Sequence, residues 1–316
     1  MNKLFQKKIY LKNVIKFYLS KIFKFNNYFR YKSDFGKVFL DEINGGVSKI
    51  IAFYGTREDD KQILLKEAIS SKTLYLDVGS NIGVFPVLIS NELSDDDFLV
   101  SLEPDMRNHE TLFKNLQNCL SNSIFLPYAV SNNDGKSKFF ITKEPNLNYL
   151  INNNLNLKDK DNKNIITVNT ITLETLFDKY IPNKFYNSDY SLLLRMDIEG
   201  GEYKVLDSLK KLLSDKNVSF KNVSIVYENH PPGSHKVFYK SVLEELLKIG
   251  FTFKCLICAG GLNIKDLDFL FGKNSSYRYI RSDNFVRMRI NKPLENQSIK
   301  ALTSQKKLIR YCVLEK

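Results

Sequence analysis

The run Leu74-Tyr75-Leu76-Asp77-Val78-Gly79-Ser80-Asn81-Ile82-Gly83-Val84-Phe85 constrains the rest of the chain more than any other stretch. An apolar, β-prone segment ends in an acid, two glycines bracket a short polar turn, and an apolar helical segment follows. That pattern is a buried strand feeding a tight turn and then a helix N-terminus. Glycine at 79 and 83 lets the backbone approach a ligand where a Cβ would intrude. The amides opening the helix suit an anionic group. A second acid, Glu103, stands 20 residues after Gly83 and closes the next strand, which starts at Phe98. In doubly wound sheets an acid there grips the ribose hydroxyls of an adenosine.

Nicotinamide and flavin sites carry G-x-G-x-x-G. Here the two glycines are four apart, and Asp77 stands two residues before the first. A pyrophosphate meets that carboxylate unfavourably, whereas the ammonium of S-adenosylmethionine is attracted to it. The pattern therefore favours a methyl donor, with a dehydrogenase as the alternative. Ile124 to Val130 reads as the third strand, and an adenine ring finds backbone groups and an apolar wall at Ala129 and Val130.

A second constellation follows. Leu192-Leu193-Leu194-Arg195-Met196 ends in Asp197, with Glu199 two residues on, and Gly200-Gly201 opens a helix from Glu202. The next strand, Val223 to Tyr227, ends in Glu228 and His230 before Pro231-Pro232-Gly233 turns the chain away. In a parallel sheet such carboxyl ends converge on one crevice. Asp77, Glu103, Asp197, Glu199, Glu228 and His230 are thus expected along one cleft. So many carboxylates cannot all stay ionised and unpaired. A cationic sulfonium offsets part of the charge, and a divalent cation on Asp197, Glu228 and His230 is a further option. The bland alternative pairs Glu228 with Arg195 and leaves His230 capping a strand.

With 316 residues, 43% of them hydrophobic, the chain can bury one large core and carry an appendage. The expected division is a basic amphipathic extension over 1–50, a body over 51–295 and a polar, basic tail over 296–316. The net charge of +12 does not imply a nucleic-acid groove, because seven lysines, Arg30 and Lys32 all precede the first acid, Asp34. Leu4 to Phe25 reads as an amphipathic helix, with Leu11, Ile15, Tyr18, Ile22 and Phe25 in one stripe and Lys8, Lys12, Lys16 and Lys24 away from it. Lysine interrupts every apolar run, which argues against a secretory signal or a membrane span. The extension either anchors on an acidic membrane surface or packs its stripe on the body or a second subunit; packing is the preferred reading. The four cysteines make no disulfide framework, and Cys255-x-x-Cys258 lacks a second pair for zinc. A reduced cytoplasmic setting, at most peripheral to the inner membrane face, is the expectation.

Four further expectations concern organisation. Phe39 to Gly55 reads as a short strand-bearing lead-in, and Asn146 to Asn164 as a solvated loop, either disordered or an acceptor lid. Cys258 to Asn263 and Ser275 to Tyr279 frame an acceptor pocket. Asp283 to Ile290 is the expected final antiparallel strand.

Asp77-Val-Gly-Ser-Asn-Ile-Gly83, Leu102-Glu-Pro-Asp105 followed by Asn108, Ala129-Val-Ser131 and Met196-Asp-Ile-Glu-Gly-Gly-Glu-Tyr203 together resemble the FkbM family of S-adenosylmethionine-dependent methyltransferases. The motifs stand in family order from about Leu74 to His230; the one departure is Gly201, where the family usually has Ala. The resemblance implies an α/β fold: a class I methyltransferase Rossmann-like, doubly wound sheet of seven mostly parallel strands, the last antiparallel. It implies methylation of a hydroxyl, often on a sugar or polyketide. It puts Asp77, Gly79, Asn81 and Gly83 at the methionine end, with Ser80 beside them, and Glu103, next to Pro104, at the ribose. Asp197 and Glu199 then face the acceptor.

The expected activity is O-methylation of a sugar or glycan precursor, of capsule or lipopolysaccharide type, with a small-molecule or glycan acceptor and no nucleic acid. His230 is the preferred general base, since its reference pKa lies near neutrality. The alternative is a metal-bound hydroxyl that gives its proton to Asp197 or Glu228. A nucleobase N-methyltransferase would carry Asn/Asp-Pro-Pro-aromatic where this chain has Asp197-Ile198-Glu199-Gly200. An RNA acceptor and a non-catalytic donor-binding scaffold complete the alternatives.

Overall fold

The computed structural model describes residues 9–24, 29–41, 45–117, 119, 122–143, 147–151, 164–230, 233–258, 271, 276–282, 285–304 and 308–316. Helix α1 (Leu11–Phe23) leads into the hairpin β1 (Arg30–Ser33) and β2 (Gly36–Phe39), then helix α2 (Gly45–Tyr54). The lead-in expected to bear a strand, Phe39 to Gly55, instead holds helix α2, with the hairpin ahead of it: Val47, Ser48, Ile51 and Ala52 recur at helical spacing and are buried. Helix α1 packs through Asn13, Phe17 and Ser20, not through the apolar stripe that the sequence suggested. Leu11, Ile15, Tyr18 and Ile22 are exposed, while Phe25 lies outside the described residues.

Helix α3 (Asp59–Ala68) precedes the alternating unit β3 (Thr73–Val78), α4 (Val84–Ser90), β4 (Phe98–Leu102), α5 (Met106–Leu116) and β5 (Ser123–Leu126). The third strand is shorter than expected. Pro127 has no amide to donate, and beyond it β6 (Ala129–Val130) leaves for a second sheet with β7 (Gly135–Phe140), β8 (Tyr149–Leu150) and β9 (Ile165–Ile171). Helix α6 (Leu173–Tyr180) begins at Thr172, whose side chain accepts from the Thr175 amide. Then come β10 (Ser191–Met196), α7 (Glu202–Leu212), β11 (Val223–Glu228), α8 (Lys236–Lys248), β12 (Thr252–Cys258), β13 (Ser276–Ser282) and β14 (Phe285–Asn291). A helix over Glu295–Leu302 leads to β15 (Ile309–Glu315).

The main sheet has nine strands in the order β13-β14-β12-β15-β11-β10-β3-β4-β5. The seven from β12 to β5 form the expected doubly wound sheet, with β13 and β14 added at one edge, and β15 runs antiparallel to both β11 and β12. Strands β3, β4, β10 and β11 are buried at every residue, as in parallel sheets covered on both faces. Two expectations are corrected here. Residues 285–291 pair on the outer side of β12, so the antiparallel core strand is Ile309–Glu315. The expected tail is thus partly core: Ile309, Tyr311, Cys312 and Leu314 are fully buried. Lys306 and Lys307 precede that strand and conceal a short apolar run in a polar window.

Two apolar cores lie on opposite faces of the sheet. One gathers β-strand residues with Leu176, Leu206 and Leu246 from α6, α7 and α8. The other joins Phe17, Tyr31, Phe35 and Val38 to Leu65, Tyr75 and Phe85. The N-terminal segment therefore shares a core with the sheet rather than standing apart. The four cysteines carry no disulfide, and Cys255, Cys258 and Cys312 are buried. Pro231, Pro232 and the Ala259–Asn263 part of the expected acceptor pocket lie outside the described residues, as does Ser275.

Candidate active site

A cavity of about 250 Å³ opens at the carboxyl ends of β3, β4, β10 and β11. Gly79, Ser80, Asn81, Glu103, Pro104, Ala129 and Val130 line it, as expected, together with Asp197, Glu199 and Glu228. Gly79 and Gly83 have φ of +80° and +81°. A Cβ on Gly79 would stand 2.5 Å from the Asp197 carbonyl, and one on Gly83 2.6 Å from Leu112 Cδ1. Both glycines are thus required by their positive φ and by protein packing against the strand end and α5; Gly79 also lines the cavity and Gly83 does not.

Glu103 is held from two sides. The Asn81 amide donates to one carboxylate oxygen at 2.8 Å and the Asp105 amide to the other at 2.8 Å. Burial still outweighs these bonds and raises the Glu103 pKa to about 7. Opposite lies an apolar wall of Tyr128, Ala129, Val130, Phe139 and Leu150. Its outer part is pinned to α5: the Asn148 side chain donates to Asp105 at 2.7 Å and accepts from the Thr142 amide at 2.7 Å. Arg107 adds a 2.9 Å bond to the Thr142 carbonyl and a 2.7 Å bond to Asp105. Within the expected loop Asn146 to Asn164, residues 147–150 therefore form a wall of the cavity; 146 and 152–163 lie outside the described residues.

Asp77 does not face the cavity. It is fully buried and accepts from Arg195 Nη1 at 3.0 Å and the Tyr75 hydroxyl at 3.2 Å. The same guanidinium donates to the Gly79 carbonyl at 2.9 Å and to Asp197 at 2.7 Å. Asp77 thus fixes Arg195, and Arg195 fixes both the turn and Asp197. A direct contact from Asp77 to a ligand is replaced by this indirect one.

The expected metal set is also corrected. Glu58, Asp197 and Glu228 bring carboxylate oxygens within 4.8 Å of one another. The ammonium of Lys61 stands among them, 2.6 Å from Glu58, 2.6 Å from Asp197 and 3.3 Å from Glu228. Burial opposes a charged Lys61, but Asp197, Glu58 and Glu228 more than offset it and raise its pKa. Burial likewise opposes a charged Asp197, yet Lys61 and Arg195 hold its pKa well below the carboxylate range. Glu58, between Lys61 and Arg57, titrates at about 2 despite burial. A side-chain cation fills the place a metal ion would take, so the residues do not fit a divalent cation there.

His230 lies behind the cavity rather than in its lining. Its Nδ1 is 2.5 Å from Glu202 and its Nε2 is 3.3 Å from Glu199, with Glu228 at 3.9 Å. Burial lowers its pKa, but the bond to Glu202 and the charges of Glu202, Glu199 and Glu228 raise it to about 9. A ring that is already protonated at neutral pH accepts no proton, so the expectation of His230 as general base is corrected. The ring clamps Glu199 instead.

Sequence reading missed Lys61, Glu58, Arg57 and Arg310. One signal was present: Lys61, Leu64 and Leu65 share one face of α3, and a lysine among core leucines needs buried acids. Arg310 sits on the unrecognised strand β15, 3.6 Å from Glu228.

The methyltransferase FkbM domain matches residues 77–253 of the chain. The chain belongs to the FkbM methyltransferase family. This FkbM methyltransferase matches no curated protein. Among solved structures it is similar to a precorrin-6y C5,15-methyltransferase from Geobacter metallireducens, at 11% identity and TM-score 0.38, over 83% of this chain and 88% of that one. It is also similar to fibrillarin from Aeropyrum pernix with S-adenosylmethionine, at 11% identity and TM-score 0.35, over 73% and 74%. TrmK from M. capricolum with S-adenosylhomocysteine shows 11% identity and TM-score 0.35, over 73% and 67%.

The enzyme is an S-adenosylmethionine-dependent methyltransferase. The residues present fit that donor. Glu103, once ionised, is an acceptor-only group at the wall of the cavity, Tyr128, Val130 and Phe139 line the same cavity, and Glu199, about 30% exposed, adds a carboxylate to it.

Proposed function

We propose that this FkbM methyltransferase transfers a methyl group to a hydroxyl of a sugar or glycan precursor, of the capsule or lipopolysaccharide type. The observation that supports this is the make-up of the acceptor end of the cavity. Arg57 and Arg310 line the cavity together with Glu58, Glu199 and Glu228. Such a set offers forked donors and acceptors to several hydroxyls of one sugar at once. It suits a nucleic acid poorly, since those carboxylates repel phosphates.

Bound S-adenosylmethionine supplies a methyl group already activated by its sulfonium. The chain's own task is to align an acceptor oxygen with that group. Glu103 takes the ribose hydroxyls, and Ala129 and Val130 flank the adenine. Asp197, held by Lys61 and Arg195, orients the acceptor hydroxyl. The hydroxyl becomes strongly acidic as its bond to carbon forms, so an ordinary carboxylate serves as base. Glu199 is about 30% exposed, lines the cavity and is steadied by His230; it accepts the proton.

The test is transfer of a tritiated methyl group to a panel of nucleotide-activated sugars and to RNA, with and without chelator. Label on a sugar hydroxyl, unaffected by chelator, is the expected result. Transfer to RNA alone overturns the reading.

A further inference from the structure

The exposed side of α1 is not an ordinary solvated face. The helix is held to the body by Asn13, whose side chain donates to the Lys32 carbonyl at 2.8 Å, and by Phe17, edge-on to Phe53 of α2 at 5.8 Å. On the opposite side Leu11, Ile15 and Ile22 are 67%, 53% and 71% exposed, with Tyr18 and Leu19 exposed beside them. At 3.6 residues per turn these five fall in one arc. Lys12 and Lys16 border that arc on one edge and Lys21 on the other. Soluble proteins seldom display a contiguous apolar stripe of this kind without a partner.

We infer that α1 is a docking helix that lies in the plane of an anionic membrane surface. An interfacial helix needs an outward apolar face with basic residues along its margins, so that ring and methyl groups enter the acyl boundary while ammoniums reach headgroup phosphates. The arrangement of α1 meets both conditions. No acid occurs from Met1 to Ser33, so nothing in the segment's own sequence opposes anionic lipid. With 13 residues the helix is about 20 Å long, too short to span a bilayer. Among the described residues no helix is long and apolar enough to cross a membrane.

The charge pattern also decides against a second copy of the chain. A two-fold pairing of this stripe sets one lysine margin against another, with no acid on the helix to answer either. An anionic bilayer answers both margins at once. Helix α2 lies directly under α1, and its Val47 lines the cavity. The docking face therefore stands one helix away from the cavity.

Flotation of the full chain with vesicles tests the inference. The chain is expected to float with phosphatidylcholine vesicles containing about one-third phosphatidylglycerol, not with phosphatidylcholine alone, and to release as salt rises. Ile15→Asp with Ile22→Asp changes two exposed positions and is expected to cut binding at least tenfold. Affinity for S-adenosylhomocysteine, read by calorimetry, stays unchanged in that variant. Lys12→Glu and Lys21→Glu are each expected to cost about fivefold or more. Failure to float on anionic vesicles overturns the inference, as does binding that survives the double aspartate change. A dimer in light scattering that the same change dissociates overturns it too. None of these outcomes depends on which acceptor is methylated.

Discussion

The ammonium of Lys61, from α3, stands 2.6 Å from a carboxylate oxygen of Asp197, just beyond β10. Lys61 is 1% exposed, and it is the cation shared by Glu58, Asp197 and Glu228. Removing one partner of a buried charge group leaves the others uncompensated, which typically costs about 3–5 kcal/mol. Lys61→Met is therefore expected to destabilise the fold by about that amount in denaturant unfolding. A loss under about 1 kcal/mol would show that the three carboxylates do not depend on it. Lys61→Ala is also expected to gain thermal stability on addition of manganese, which the unmodified protein does not.

Glu103 sets a pH dependence of donor binding. Its folded pKa is raised from 4.5 to about 7 by burial, so below about 7 the carboxyl is protonated where the unfolded chain is already ionised. The fold accordingly loses stability as pH rises from about 4.5 to 7, while the ionised acceptor for ribose hydroxyls gains. Affinity for S-adenosylhomocysteine is expected to rise by up to about tenfold per pH unit until about 7 and then level off. Glu103→Gln is expected to bind more weakly with a flat profile, measured by calorimetry across that range.

For His230, as for the Glu103 carboxyl, folding stability falls as pH rises. Its folded pKa of about 9 lies above the ordinary 6.5, so its contribution is complete below about 6.5 and is lost as pH rises through 9. That difference corresponds to roughly 3 kcal/mol. Stability is expected to fall across that window, and His230→Gln is expected to remove the fall. Because the ring positions Glu199, His230→Gln should lower kcat by about tenfold, whereas Glu199→Gln should lower it by about a hundredfold or more. Equal losses in the two variants, with donor affinity intact, would restore His230 as the base.

The fold was legible because its signals are local. Apolar runs ending in Asp77, Glu103, Asp197 and Glu228 mark strands that stop at one edge, and the two glycines fix the turn between β3 and α4. What escaped was long-range pairing. Nothing near Asp77 in sequence says that Arg195 takes it, and nothing near Glu228 says that Lys61, 167 residues earlier, lies against it. Strand β15 escaped because a central strand was read through the polar residues before it. Periodicity reports that a helix has two sides and not which side meets the core, so the stripe on α1 gave no sign in sequence that it lies away from the body.

A fourth expectation concerns the cavity wall around Asn148. Asn148 joins the segment before β8 to Asp105 at the N-terminus of α5. Loss of such a bond to a charged group costs about 1.5–3 kcal/mol. Asn148→Ala is expected to weaken donor binding about tenfold while leaving kcat at saturating donor nearly unchanged; a loss confined to kcat would place the segment at the acceptor instead.

The most direct test is calorimetric titration of S-adenosylhomocysteine into the full chain and into Glu103→Ala. The account predicts one site in the unmodified protein and a loss of at least tenfold in affinity in the variant. Equal affinities in the two proteins would contradict it.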